Sequence, residues 1–174
     1  MTKGAPASPV PDIAEGFRAA MRGVASTVTI VTAGDSARHH GMTATAVMPV
    51  SMDPPSLAIA INRKTLLYDI LMSARGFCVN ILDKGQESVS TAFSGALPGS
   101  ERFSRGEWAY TATGLGYLRD AQASIFCSRA AALPYGTHSL FIGEVTDIAR
   151  GDGLSPLLYL NAAYCQPLPR SNHN

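Results

Sequence analysis

The sequence has little with which to hold a metal or to grip a polyanion. Its four histidines, His39, His40, His138 and His173, and its three cysteines, Cys78, Cys127 and Cys165, form no Cys-x-x-Cys, His-x-x-x-His or related ligand spacing, which argues against a zinc site. Fourteen Lys and Arg balance thirteen Asp and Glu, giving a net charge of +1. No basic run stands out, so nucleic acid is not an expected partner. Charged residues make up only 16% of the chain, a low share that fits a surface partly covered by another subunit. An odd number of cysteines in apolar settings, "GFCVNIL" and "SIFCSR" among them, reads as reduced, buried thiols and a cytoplasmic protein. No stretch approaches the ~18 apolar residues of a spanning helix, and "MTKGAPASPVPDIAEG" has no signal-type apolar core, so no membrane association is expected.

What is present is enough for one domain. A chain of 174 residues, 46% of them hydrophobic, buries roughly 70% of its unfolded surface without covalent staples. Residues 1–11, with three prolines, read as a flexible arm, 12–168 as the domain and 169–174 as a tail. "DIAEGFRAAMRGV" sets Ile13, Phe17, Met21 and Val24 on one helical face, with Asp12 as N-cap and Gly23 as terminator. "STVTIVTA" (26–33) alternates as a strand. Further strands are expected at 41–51, 56–62, 76–82, 122–133, 138–149 and 157–165. Pro54 and Pro55, which cannot donate to a ladder, belong to the connection between 41–51 and 56–62. A helix over 65–74 is capped by Thr65 and faces inward through Leu66, Leu67, Ile70 and Leu71. A short helix and a long loop follow over 85–108, a segment of the kind that is often functional. About seven strands without βαβ alternation predict a mainly β fold, an antiparallel barrel with a few attached helices.

Two motifs are incomplete. "GLGYLR" (114–119) lacks the third glycine of a dinucleotide fingerprint, and in "TAFSGALPG" Ala92 replaces the glycine that a nucleophile elbow needs before Ser94. Any enzymatic chemistry therefore falls to a bound organic cofactor.

One stretch has the makings of a site: "HGMTATAVMPVSMDPPSLAIAINRKT" (40–65). By period two, Thr43, Thr45 and Ser51 share one strand face, while Arg63, Lys64 and Thr65 stand at a helix start, where dipole and cation favour an anion. Ala46, Val47, Val50, Leu57, Ile59 and Ile61 are assigned to the barrel. An ordinary half-exposed strand ending in a solvated turn has the same pattern, and the residues alone leave both readings open.

"FRAAMRGVASTVTIVTA", "GMTATAVMPVSMDPPSLAIAINRKT", "FCVNIL", "STAFSG", "RF" shortly before Trp108, and "YGTHSLFIGEV" occur in this order over residues 13–165. Together they resemble the flavin reductase domain family, the short reductase components of two-component flavin-dependent monooxygenases. The resemblance implies a homodimer of Greek-key, FMN-binding split β-barrels. It implies reduction of FMN or FAD by NADH or NADPH, with the reduced flavin passing to a separate oxygenase. Carried over by position, Thr43, Ala44, Thr45 and Ala46 border the isoalloxazine. Ser51, Ala60, Ile61, Asn62, Arg63 and Thr65 hold ribityl and phosphate, Lys64 being an alternative cation to Arg63. Ala92 and Phe93 close over the remainder, with plain core at a helix end as the alternative for Phe93, and Thr27 and Val28 line the same pocket. His138 faces the nicotinamide, with a strand histidine bonded to backbone as its alternative. Trp108 and Tyr110 pack the loop, and Tyr159 and Tyr164 serve either a dimer contact or the nucleotide.

Two positions depart from the family pattern. Thr137 stands where an Asp usually precedes the histidine, and Gly114-Leu115-Gly116-Tyr117 replaces a Gly-x-Pro. Hydride transfer between stacked rings needs no protein acid or base, so the implied work of the protein is positional. A non-catalytic split-barrel protein binding flavin or haem is the alternative from another class; the "YGTHSLFIGEV" segment favours the enzyme.

Overall fold

The computed structural model describes residues 12–34, 38–99, 101–151 and 153–168; the expected arm (1–11) and tail (169–174) lie outside them. Helix α1 (Ile13–Met21) starts where the sequence places it, the Asp12 carboxylate accepting from the Ala14 amide at 2.9 Å. It stops at Met21 with Arg22 as C-cap, just short of Gly23. None of its residues is buried.

The strands are β1 (Ser26–Thr27), β2 (Thr29–Gly34), β3 (His39–Ala44), β4 (Val47–Met52), β5 (Pro55–Asn62), β6 (Gly76–Ile81), β7 (Trp108–Tyr110), β8 (Gly116–Leu118), β9 (Ala123–Tyr135), β10 (His138–Arg150), β11 (Leu158–Leu160) and β12 (Ala163–Cys165). Seven form one sheet in the order β3-β2-β6-β9-β10-β5-β4, every pairing antiparallel. The edge strands β3 and β4 are consecutive in the chain, joined only by Thr45 and Ala46. So short a link spans at most about 11 Å, so the sheet must curl until its edges almost meet. The Ala60 amide donates to the Ala46 carbonyl at 3.0 Å at this seam. The result is a split barrel, as expected.

The seam corrects the single strand expected at 41–51. The chain leaves the β3 ladder after Ala44 and joins the opposite edge at Val47, so side-chain alternation does not carry across. Pro49 sits in edge strand β4, and the register slips between Pro49 and Ser51, which is where an edge strand tolerates a residue without an amide proton. Val50, assigned to the barrel, is 49% exposed. Pro54 lies in the β4–β5 turn, but Pro55 is the first residue of β5, opposite Met52, another position open to proline. The expected strand at 157–165 is likewise two strands, because Asn161 (φ 49°) and Ala162 (φ 61°) turn the chain through left-handed conformations, as a two-residue hairpin requires.

Two apolar clusters lie on either side of β2. Val31 and Ala33 point into the barrel with Ile59, Phe77 and Phe141. There they meet Leu67, Ile70 and Leu71 of α2 (Leu66–Ser73), which is capped by Thr65 as predicted. Leu66 falls off that face and is 47% exposed. On the other side Val28 and Ile30 pack beneath α3 (Glu87–Thr91), the wide turn Ala92–Ala96 and the β7–β8 hairpin. Asn80, wholly buried, joins the layers: its amide donates to Ile30 O at 2.9 Å, and its carbonyl accepts from the Leu118 amide at 2.8 Å and the Ser124 hydroxyl at 2.9 Å.

The loop after Ala96 is held to β3 by Arg102, which donates to Leu97 O at 3.1 Å and Gly41 O at 3.0 Å and meets His40 Nε2 at 3.2 Å. Burial, and next the Arg102 charge, hold the His40 imidazole below its ordinary value of 6.5. The unfolded chain therefore takes up a proton near pH 6.5 that the folded one resists, and stability falls as pH drops through that value. The slope is at most about 1.4 kcal/mol per pH unit for one group. Denaturant titrations at pH 7.5 and 5.5 measure it, and His40→Gln, which keeps an acceptor for Arg102, is expected to flatten it.

Candidate functional site

The seam between β3 and β4 brings most of the sequence-predicted residues to one region. On its β3 side the Thr29 hydroxyl donates to Ala44 O at 2.7 Å, and the Thr43 hydroxyl donates to Ser90 O in α3 at 2.6 Å. Thr43 and Ala44 are half-buried and Thr45 and Ala46 exposed. The link is thus an open edge of small side chains and hydroxyls, backed by fixed backbone. Through the Ala46–Ala60 hydrogen bond it abuts the C-terminal end of β5.

That strand ends in a turn built by its own side chains. Asn62 Oδ1 accepts from the Lys64 amide at 2.9 Å, and the Thr65 hydroxyl donates to Asn62 O at 2.8 Å while accepting from the Tyr68 amide at 3.3 Å. Such side-chain-to-backbone bonds fold the chain tightly into the first turn of α2, leaving Arg63 and Lys64 exposed at its N-terminus. The Arg63 guanidinium donates to Gly136 O at 2.7 Å and its amide to Thr137 O at 3.0 Å. His138 follows, paired with Asn62 across the β5–β10 ladder. Arg63, Lys64, Tyr68, Gly136 and Thr137 line a depression of about 340 Å³. Two cations, a helix N-terminus and a depression together suit an anion of phosphate size.

The His138 imidazole is exposed, and its Nδ1 lies 2.8 Å from the Thr137 hydroxyl. A neutral hydroxyl therefore occupies the place of the carboxylate that the resemblance leads one to expect. It orients the ring without adding charge.

Some expected members stand elsewhere. Ser51 lies opposite Ser56, roughly 20 Å down β5 from Asn62 at strand rise. Its hydroxyl donates to Asp53 O at 2.9 Å and accepts from the Asp53 amide at 3.1 Å, closing the β4–β5 turn. The expectation that Thr43, Thr45 and Ser51 share a face is corrected by the seam and the bulge that separate them. Val28, Ile61, Ala92 and Phe93 are each at most 3% exposed, so their side chains belong to the core beneath the region. The Phe93 ring does not close over a pocket: it packs at 5.1 Å from Phe103 and 5.0 Å from Trp108. A side chain on Gly41 would place its Cβ 2.7 Å from the same ring. Thr27, half-buried, pairs with Leu158 at the margin. A larger cleft of about 950 Å³, between the end of α2 and the β7–β8 turn, includes Arg75, Gly76, Thr111 and Ser128 and contains none of the expected residues.

Ser90 and Gly136 escaped sequence reasoning, and Tyr164 was left between two roles. The Ser90 hydroxyl and Tyr164 phenol meet at 2.9 Å across 74 residues, a contact without a local signal.

Residues 21–167 match the flavin reductase like domain. The reductase component of an FADH(2)-dependent resorcinol hydroxylase from Rhizobium sp. (strain MTP-10005) is 46% identical over 160 residues, covering 90% of this chain and 89% of that protein. The FMN reductase (NADH) RutF of Pseudomonas syringae pv. syringae (strain B728a) is 36% identical over 148 residues, 85% of this chain and 83% of its own. Among solved structures, the flavin reductase PheA2 in its native state superposes with a TM-score of 0.80 at 34% identity, covering 89% of this chain and 98% of that one.

Proposed function

The chain belongs to the flavin reductase like domain family, and from that membership and the seam geometry we propose where and how it works. It is an NAD(P)H:flavin oxidoreductase, reducing FMN or FAD and supplying reduced flavin to a separate monooxygenase. The observation that carries the location is the Ala46–Ala60 hydrogen bond, which ties the Thr43–Ala46 edge to β5 three residues before Arg63 and the start of α2. Bound flavin and nicotinamide supply the hydride chemistry themselves. The residues bind and orient: Arg63, Lys64 and the first turn of α2 take the phosphate. Thr43 to Ala46 border the ring, Ala60, Asn62 and Thr65 shape the turn between, and His138, steadied by Thr137, stands on the nicotinamide side.

The test needs no oxygenase. Purified protein is expected to oxidise NADH or NADPH when FMN or FAD is added and no aromatic substrate is present, followed as loss of 340 nm absorbance. No turnover with any of the four pairs removes the reading in favour of a flavin- or haem-binding module.

The unit that works is residues 12–168 as one domain, in a homodimer. Support comes from apolar side chains that the single chain leaves outside: on α1, Ile13 is 86% and Phe17 65% exposed, and at the tip of the β9–β10 hairpin, Leu133 is 63% and Tyr135 84% exposed. Surfaces of this kind are ordinarily covered by a partner. Light scattering is expected to give twice the chain mass, and Phe17→Asp to shift it toward the monomer; a monomeric wild type refutes the dimer. A cytoplasmic location accords with three free thiols, and fractionation of cells tests it. Among the described residues no helix is long and apolar enough to cross a membrane.

A further inference from the structure

Thr43 stands opposite Ile30 in the β2–β3 register, and Ile30 belongs to the cluster beneath α3. The Thr43 side chain thus lies on the outer face of the barrel, where its hydroxyl donates to Ser90 O at 2.6 Å. Ser90 is completely buried. Its own hydroxyl meets the Tyr164 phenol at 2.9 Å, and Tyr164 packs against the same cluster and against Tyr159, ring centroids 5.5 Å apart. The series Tyr164, Ser90, Thr43 therefore ties β12 to α3 and α3 to β3.

A threonine hydroxyl has one proton and two acceptor positions. With the proton directed to Ser90 O, Thr43 can only accept from whatever lies beyond it. An oxidised isoalloxazine has one N–H, at N3 between its two carbonyls; N1, N5 and the two carbonyl oxygens accept. We propose that Ser90 and Tyr164 are positioning residues that hold Thr43 as an acceptor-only contact for the N3–H of the flavin ring. The proposal rests on the flavin-site reading above. N3 keeps its proton through hydride transfer, so the contact grips the ring without favouring either oxidation state. That suits a protein whose reduced product leaves.

The probe is 3-methyl-FMN, in which a methyl group replaces the N3 proton. Fluorescence titration of the wild type is expected to show a preference for FMN of about tenfold, the weight of one neutral hydrogen bond. Thr43→Val abolishes the preference and Thr43→Ser keeps it. Tyr164→Phe lowers it to about threefold with the thermal transition still cooperative; should that variant not fold, Ser90→Ala cuts the same link. A wild type without preference overturns the proposal. So does a preference that survives in Thr43→Val, since that would be steric exclusion of the methyl. An undiminished tenfold preference in a folded Tyr164→Phe or Ser90→Ala removes the positioning role. FMN that fails to bind the wild type at all defeats the flavin-site reading itself, whereas FMN bound without N3 discrimination defeats this proposal alone.

Discussion

Replacing Asn80 with alanine lowers the free energy of unfolding by roughly 3–5 kcal/mol, read from denaturant titration with an unchanged m-value. The size follows from what the side chain leaves behind. Leu118 is 1% exposed, so its amide, which now donates to Asn80 Oδ1 at 2.8 Å, finds no water in exchange. Ile30 O loses the donor at 2.9 Å. Ser124 is less affected because its hydroxyl also reaches Leu118 O at 3.1 Å. Each orphaned buried group costs about 1–3 kcal/mol, and the cavity left by the side chain adds to that. Asn80→Asp is the sharper comparison. It preserves volume and the acceptor oxygen, but removes the donor to Ile30 and buries a charge, so it is expected to destabilise at least as much as alanine. A loss below about 1 kcal/mol in both variants would mean that the β7–β8 hairpin does not depend on this link.

The contrast between what local pattern reveals and what it hides runs through the same region. The caps at Asp12 and Thr65 were legible because an N-cap needs only a hydroxyl or carboxylate before an apolar periodic run. Most of the strands were legible for a similar reason, since alternation is written over a handful of neighbours. The seam at Thr45–Ala46 was not. No Gly or Pro marks it, and the break exists because the sheet closes there, a property of seven strands at once. Period-two reasoning carried past that point placed Ser51 with Thr43, and failed. Phe93 stood between two roles because a buried aromatic and a ring that covers a ligand look alike in sequence; Gly41, Phe103 and Trp108 around it favour the core role. The amphipathic face of α1 was legible as a pattern, yet none of its residues is buried among the described residues, and the pattern carries no information about what would cover it. For the function, residue physics alone left two readings of 40–65 open, and the order and spacing of motifs across the whole chain pointed to the family that the chain belongs to.

Arg63→Ala is expected to weaken FMN binding by about 1.5–3 kcal/mol, or roughly 10- to 150-fold in Kd, the range for a charge-assisted hydrogen bond. The structure adds a complication that the measurement must separate. Arg63 donates to Gly136 O at 2.7 Å, so its removal also loosens the β9–β10 turn that carries Thr137 and His138. Riboflavin, which has the ring and ribityl chain but no phosphate, distinguishes the two effects. If Arg63 holds the phosphate, the variant loses affinity for FMN while riboflavin binds as before, and the loss shrinks as salt screens the contact. If Arg63 serves the turn alone, FMN and riboflavin weaken together, or neither does, and the phosphate assignment is wrong. Arg63→Lys refines the outcome. Lysine restores a charge but not the planar fork that reaches Gly136 O while leaving other N–H groups for an anion, so part of the FMN affinity is expected to return, and less of the turn. Lys64 stands beside it, exposed at the same helix start, and the double variant Arg63→Ala, Lys64→Ala is expected to lose more than the sum of the two if each cation now compensates for the other.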